Sequence, residues 1–258
     1  MINLNVNSIK DFQTCERLYD YRYVEKLPET IYSRDIYTTR FEATIKSIIH
    51  FFWFKKQGGI TPSYASLLNR WEKIWFPKDT SHYDIATEKH ESAYGNAASL
   101  TTQAAGLLLR FHETYSQTDL IPLSIYDDYI ITINNNVRIE DKFDVIYRKD
   151  NENYVVKLMF NYKNNYRHIY QMDFAAMYLA FKNLHPAKIK NTKFGYIDLL
   201  SNNLSFHEYE INQQDIDSIE YWCDSIESKE VFVPRRGLTQ YCKKCPFDAP
   251  CSKWNGWK

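Results

Sequence analysis

Val137-Arg138-Ile139-Glu140-Asp141-Lys142-Phe143-Asp144-Val145-Ile146-Tyr147 is a run rich in β-branched and aromatic residues. Asp150-Asn151-Glu152-Asn153 interrupts it, and Tyr154-Val155-Val156-Lys157-Leu158-Met159-Phe160-Asn161-Tyr162 resumes the same chemistry. Asn and Asp favour turns because their side chains bond their own backbone and tolerate left-handed conformations, so these runs predict an antiparallel hairpin. Tyr129–Ile133, ahead of Asn134-Asn135-Asn136, extends the hairpin to a meander. Working outward, apolar residues at helical spacing predict helices over Ser8–Val24, Thr38–Lys56, Ser63–Trp75 and Ala93–Tyr115 before the meander. After it come a helix over His168–Leu184, strands over Lys193–Leu199 and Leu204–Tyr209, and a helix over Asp215–Ser228. Gly58-Gly59 ends the second helix and Pro186 follows the fifth. The order predicts one α/β (α+β) domain over residues 1–258, a mixed sheet flanked by helices, with residues 231–258 as a basic, cysteine-rich tail.

The chain of 258 residues is 44% hydrophobic and 25% charged, too apolar for disorder. No stretch approaches the roughly 18 apolar residues that a membrane helix needs. Met1–Asp11 lacks the basic lead and apolar core of a secretory signal, which predicts a cytoplasmic protein with no membrane partner. Charge balances at 32 Lys and Arg against 32 Asp and Glu, which excludes a uniformly basic nucleic-acid coat but not local patches. Arg235, Arg236, Lys243, Lys244, Lys253 and Lys258 face Asp248 alone from Val231 onward, giving that tail +5 and the remainder −5. Seven glycines and no Gly-x-Gly-x-x-Gly or P-loop pattern argue against a nucleotide-binding α/β fold.

Five cysteines in an intracellular chain point to metal before disulfide. Cys242, Cys245 and Cys251 form C-x2-C-x5-C, and Cys15 stands alone 227 positions before Cys242. Cys223 lies at helical spacing among Ile216, Ile219, Trp222 and Ile226 and reads as a small core residue. Four thiolates close around a zinc ion or an iron–sulfur cluster, and the one-plus-three arrangement favours a 4Fe–4S cluster with zinc as runner-up.

Phe12-x2-Cys15-x-Arg17-x-Tyr19-x-Tyr21, together with Cys242-x2-Cys245-Pro246-Phe247-x3-Cys251, resembles the RecB-like PD-(D/E)xK nucleases with an iron–sulfur staple. The nuclease domain of AddB and the CRISPR-associated exonucleases belong to that class. The resemblance runs over essentially the whole chain and implies a restriction-endonuclease-like core. It also implies a cluster on Cys15, Cys242, Cys245 and Cys251 that ties the two ends together and supports DNA binding.

The same resemblance implies a hydrolytic centre. Such nucleases hold Mg2+ or Mn2+ on carboxylates, polarise a phosphodiester and supply hydroxide near neutral pH, with a lysine stabilising charge. On that pattern His50 and Asp144 are metal ligands, and Asp141-Lys142-Phe143-Asp144-Val145-Ile146 carries the first acid. Asn161-Tyr162-Lys163 aligns with the acid-x-lysine motif, placing Asn161 as a third, uncharged ligand and Lys163 as the catalytic lysine. A rival register lays Lys157-Leu158-Met159 over the motif and removes both acid and lysine. Gln171 matches the helix glutamine, so Asp144, Lys163 and Gln171 form the expected catalytic set. Lys46 and Asp141 stand where the family has glycine, and Ala175 where it has tyrosine.

Tyr162, Lys163, Tyr166, Arg167 and His168 form a basic, aromatic run suited to backbone contact and base stacking. Tyr162, Tyr166, Arg167, Arg235, Arg236, Lys243 and Lys244 are therefore the expected DNA contacts, on single strands or DNA ends. The leading expectation is an exonuclease-like, metal-dependent deoxyribonuclease with cleavage impaired at Asn161. The alternative is an inactive nuclease-fold subunit that binds DNA or scaffolds a larger protein assembly.

Overall fold

A computed structural model describes residues 1–30, 33–76, 97–160, 167–234, 242 and 245–252. Strand β1 (Ile2–Leu4) leads into helices α1 (Val6–Thr14) and α2 (Glu16–Tyr19) and a π-helical turn over Asp20–Val24. Helices α3 (Ser33–Gln57), α4 (Tyr64–Trp75) and α5 (Ala97–Tyr115) follow. Strands β2 (Ile121–Ile125), β3 (Asp128–Thr132), β4 (Val137–Lys142), β5 (Val145–Lys149) and β6 (Glu152–Met159) come next. Helix α6 (Arg167–Leu184), a 3-10 turn (Pro186–Asn191), β7 (Thr192–Asp198), β8 (His207–Glu208), α7 (Gln213–Glu227) and α8 (Asp248–Ser252) complete the order. Among the described residues, no helix is long and apolar enough to cross a membrane.

The strands make two mixed sheets, ordered β1-β4-β3 and β2-β5-β6-β7-β8, where the sequence predicts a single one. The difference arises inside Val137–Tyr147. Phe143 donates its N–H to Asp127 O and Tyr126 donates to Asp144 O, so both ladders end at this pair and the chain passes from one sheet to the other. The strands β1 and β2 are also unforeseen: β1 is three residues long, and β2 carries Pro122. β1 lies parallel to β4, and β2 pairs antiparallel with β5. The predicted hairpin between β5 and β6 turns on Asp150 and Asn151, both at positive φ (49° and 66°). Two successive left-handed residues are what a tight hairpin turn demands. The parallel pair β6/β7 is connected through α6.

Each face of the larger sheet covers its own core. Ile146, Val155 and Met159 pack with β1, β3, β4, α1, α6 and α7. Val145, Tyr147, Val156, Leu158 and Ile197 pack on the other face with α3, α4 and α5. Alternation along β5 and β6 assigns side chains to these faces, and it sends Lys157 to the same side as Val155 and Met159.

The helix predicted to start at Ser8 starts at Val6 and is broken. Asn5 is the N-cap: its side chain accepts from Ser8 N at 2.8 Å, while Ser8 Oγ accepts from Asn5 N at 3.0 Å. That reciprocal box satisfies two first-turn amides, so Ser8 serves inside the helix rather than at its cap. Cys15, extended at φ −164° and ψ 120°, separates α1 from α2. The remaining helices agree with their sequence pattern to within a few residues, with Ser63 capping α4 and Gly59 at φ 79° ending α3.

Gly195 on β7 is a close-packing site. A Cβ there would lie 2.0 Å from His207 O and 2.6–2.8 Å from the Phe206 ring, and backbone cannot yield as a flexible side chain can. Gly195→Ala is expected to cost about 2–3 kcal/mol by overpacking, lowering the thermal midpoint by roughly 5–10 °C in a circular dichroism melt; an unchanged midpoint would show that β8 repositions freely.

Candidate active site

The passage from β4 to β5 sets the centre. Phe143 buries its ring against Tyr129 (centroids 4.6 Å apart), which leaves Asp144 turned into a cavity of about 860 Å3 walled also by Lys46, His50, Tyr126, Asp141 and Lys157. Asp144 is 6% exposed. A carboxylate so enclosed costs several kcal/mol unless it meets hydrogen-bond donors and countercharge. Both are present. Leu158 N donates to Oδ2 at 2.8 Å, Lys46 Nζ stands 3.8 Å from Oδ2, and His50 Nε2 stands 3.5 Å from Oδ1. Burial opposes ionisation of Asp144, but Lys46, His50 and Lys157 outweigh it and hold the carboxyl well below the usual range.

Lys157 is the neighbour that the strand register dictates. Val145 pairs with Val156, so one step beyond that ladder brings Asp144 level with Lys157. The Lys157 ammonium lies 3.1 Å from Asp173 Oδ1 on α6, and Asp173 also accepts a short ion-paired hydrogen bond from Lys10 of α1. Burial would lower the Lys157 pKa; Asp173, Asp144 and Asp141 reverse this and raise it. Asp173, 3% exposed, is held low by Lys157 and Lys10 against the same burial cost. An alternating row of charges thus runs from α1 through α6 and β6 to Asp144 and α3.

Lys46 and His50 are four residues apart on α3 and so share a face. The His50 ring stacks on Tyr126 at 4.8 Å, and Lys142 Nζ lies 4.4 Å from the Tyr126 ring centroid. Tyr126 sits at φ 55°, a left-handed conformation that a non-glycine residue adopts only when its surroundings fix it. Here its N–H is held by Asp144 O. Asp141 accepts from Val6 N (3.3 Å) and Lys142 N (2.8 Å), tying the first turn of α1 to β4.

His50 and Asp144 therefore stand side by side, 3.5 Å apart. Gln171 is half-buried on α6 and is not among the residues walling the cavity. Asn161, Tyr162, Lys163, Tyr166, Arg235, Arg236, Lys243 and Lys244 lie outside the described residues, as does the Arg167 side chain at the start of α6. The sequence pattern does not single out Lys10 or Asp173, and it marks Lys157 only in the rival register and Lys46 only as a departure. A signal existed: a lysine inside Val155–Met159 and an aspartate inside the apolar run Met172–Met177 are groups that rarely enter such surroundings without partners.

The cysteines occupy a second region. Thr30 N donates to Pro246 O at 3.0 Å, and the fully buried Phe247 packs on Tyr21 (5.5 Å) with the Arg22 guanidinium 5.9 Å from its ring. Burial raises the Cys245 thiol pKa; the Phe247 backbone N–H opposes this, while Cys251, Cys15 and Cys242 add to it by charge. The four thiols are gathered within electrostatic reach of Cys245. Among the described residues, however, no group of three or more His, Cys, Asp or Glu is set to hold a metal ion. Cys223 is fully buried on α7, its thiol pushed up to about 12 by burial and by Asp224 and Glu220, in keeping with a core residue.

No curated protein matches this chain. Among solved structures, one titled "Crystal structure of SSO0001" aligns over 96% of this chain and 85% of that one, with 13% identity and a TM-score of 0.40. The family model described as the PD-(D/E)XK nuclease superfamily matches residues 3–252, nearly the full length. The chain belongs to the PD-(D/E)XK nuclease superfamily.

Proposed function

We propose that the protein is a DNA-binding member of this superfamily, with impaired hydrolysis and with ends stapled by a 4Fe–4S cluster. The observation that carries the hydrolytic half of this reading is Lys157, an ammonium standing level with Asp144 where a cleaving site needs a second acid. The register over Lys157-Leu158-Met159 is preferred here to Asn161-Tyr162-Lys163, because Leu158 N is the group that bonds Asp144. A divalent ion takes its affinity from hard anionic oxygens, with Mg2+ in near-octahedral coordination at about 2.0–2.1 Å. Asp144 already faces an amide, two lysines and a histidine, while Asp173 is shared between Lys10 and Lys157. Among the described residues this donor set does not fit a tightly held divalent ion.

The cluster reading is supported by the chemistry of the thiols: Cys15, Cys242, Cys245 and Cys251 would supply four soft sulfur donors, and their mutual repulsion as thiolates is what binding iron would relieve. Bound there, the cluster supplies a covalent tie between the α1–α2 junction and the tail. DNA contact is assigned to the basic tail and to the run Tyr162–His168, with single strands or ends as the preferred substrate class because aromatic side chains stack on unpaired bases.

Purified without oxygen, the protein is expected to be brown, and Cys15→Ala or Cys245→Ala to bleach it while Cys223→Ala does not. Colourless protein with stoichiometric zinc would replace the cluster by the runner-up. Single-strand affinity, followed by fluorescence anisotropy, should fall steeply with salt and by about tenfold or more when Arg235, Arg236, Lys243 and Lys244 all become Ala. For the hydrolytic centre, Lys157→Glu with Met159→Lys is expected to tighten Mn2+ binding at least about tenfold in calorimetry and to raise single-strand cleavage, whereas Asn161→Asp changes neither. Robust, Asp144-dependent cleavage by the unaltered protein would overturn the impairment.

A further inference from the structure

We infer that Lys46 replaces the divalent ion as the bridge between Asp144 and a backbone phosphate of DNA, so that this cavity binds a phosphodiester without metal. The inference rests on the DNA-binding reading above and concerns the same cavity. An ammonium has three donors. The Lys46 Nζ is 3.8 Å from Asp144 Oδ2, beyond hydrogen-bond range, so Asp144 attracts it by charge without consuming a donor. Its side chain is 28% exposed, and it reaches the wall of an 860 Å3 cavity roomy enough for a nucleotide phosphate. Beside it, the His50 Nε2 stands 3.5 Å from Asp144 Oδ1, so His50 and Lys46 meet the two carboxylate oxygens from one face of the same helix.

Charge selects the class of ligand. At the centre, Lys10, Lys46 and Lys157 face Asp144 and Asp173, an excess of one cation. Of the other charged residues in the wall, Lys142 pairs with Asp128 at 2.9 Å and Glu140 with Arg138 at 2.8 Å, and these cancel. Asp141 brings the total to neutrality while directing both carboxylate oxygens at backbone N–H groups of Val6 and Lys142. The site is therefore balanced with no metal present. A divalent ion would leave two charges uncompensated and a phosphodiester one, and the phosphodiester oxygen can share the Lys46 ammonium with Asp144 through charge-assisted hydrogen bonds. Lys157 cannot take that part, because Asp173 holds its ammonium at 3.1 Å.

The test uses the full chain and a short fluorescein-labelled single-stranded oligonucleotide, with anisotropy read across a salt series in EDTA and in Mg2+. Binding is expected to be the same in both. Lys46→Gln should weaken it about tenfold and make the plot of log K against log salt shallower by about 0.7, the loss of one single-strand phosphate contact, with Lys46→Arg restoring the slope. A purely structural role would change the thermal midpoint and leave the slope alone. Binding lost in EDTA and recovered with Mg2+, or an unaltered slope in Lys46→Gln, overturns the inference while leaving DNA binding intact. Absence of DNA binding by the unaltered chain in every condition would overturn the broader reading as well.

Discussion

Burial of the Asp144 carboxylate is the constraint from which the rest of the centre follows. An anion at 6% exposure has to be met by cations, and the chain meets it from two directions, Lys46 and His50 on α3 and Lys157 on β6. Lys157 in turn needs Asp173, and Asp173 binds Lys10. Each partner belongs to a different element, so one row of charges fixes α1, α6, β6 and α3 relative to the point where the chain changes sheets. Removing any inner member would strand a charge in low dielectric, which costs far more than the row contributes when complete.

Local chemistry was the legible part of the sequence. Ser63 before α4, Gly58-Gly59 after α3 and Asp150-Asn151 between β5 and β6 each act through their own backbone, so their meaning does not depend on distant residues. The position of Asp144 was equally readable, because an acid between Phe143 and Val145 has few acceptable environments. The register opposite it was not. β6 carries Val155, Val156, Leu158 and Met159 on both faces, so no alternation marks which residue stands level with Asp144, and the motif residues alone favour Asn161-Tyr162-Lys163 over the rival register. The split of Val137–Tyr147 between two sheets was also hidden, since the hydrogen bonds that end each strand come from Asp127 and Tyr126, outside the run.

Helix α1 joins the cavity to the cysteine region. Its first turn is held by Asp141 at the cavity, Lys10 in its middle reaches Asp173, and its C-cap is Cys15. Nine residues of helix span only about 13 Å, so the position of Cys15 sets the position of Lys10. The proposed tie between Cys15 and the tail would therefore steady the charge row as well as the ends of the chain.

The contacts of the tail also impose an order of events on biosynthesis. Tyr21 and Thr30 are made well before Phe247 and Pro246, which pack against them only after some 216–226 further residues. At about 5–20 residues per second that interval is roughly 11–45 s. Through it, the Tyr21 face lacks its covering ring and Cys15 lacks the thiols that gather beside it. The nascent protein thus passes through a stage in which this region waits for its cover, and the length of that wait is set by the pace of translation.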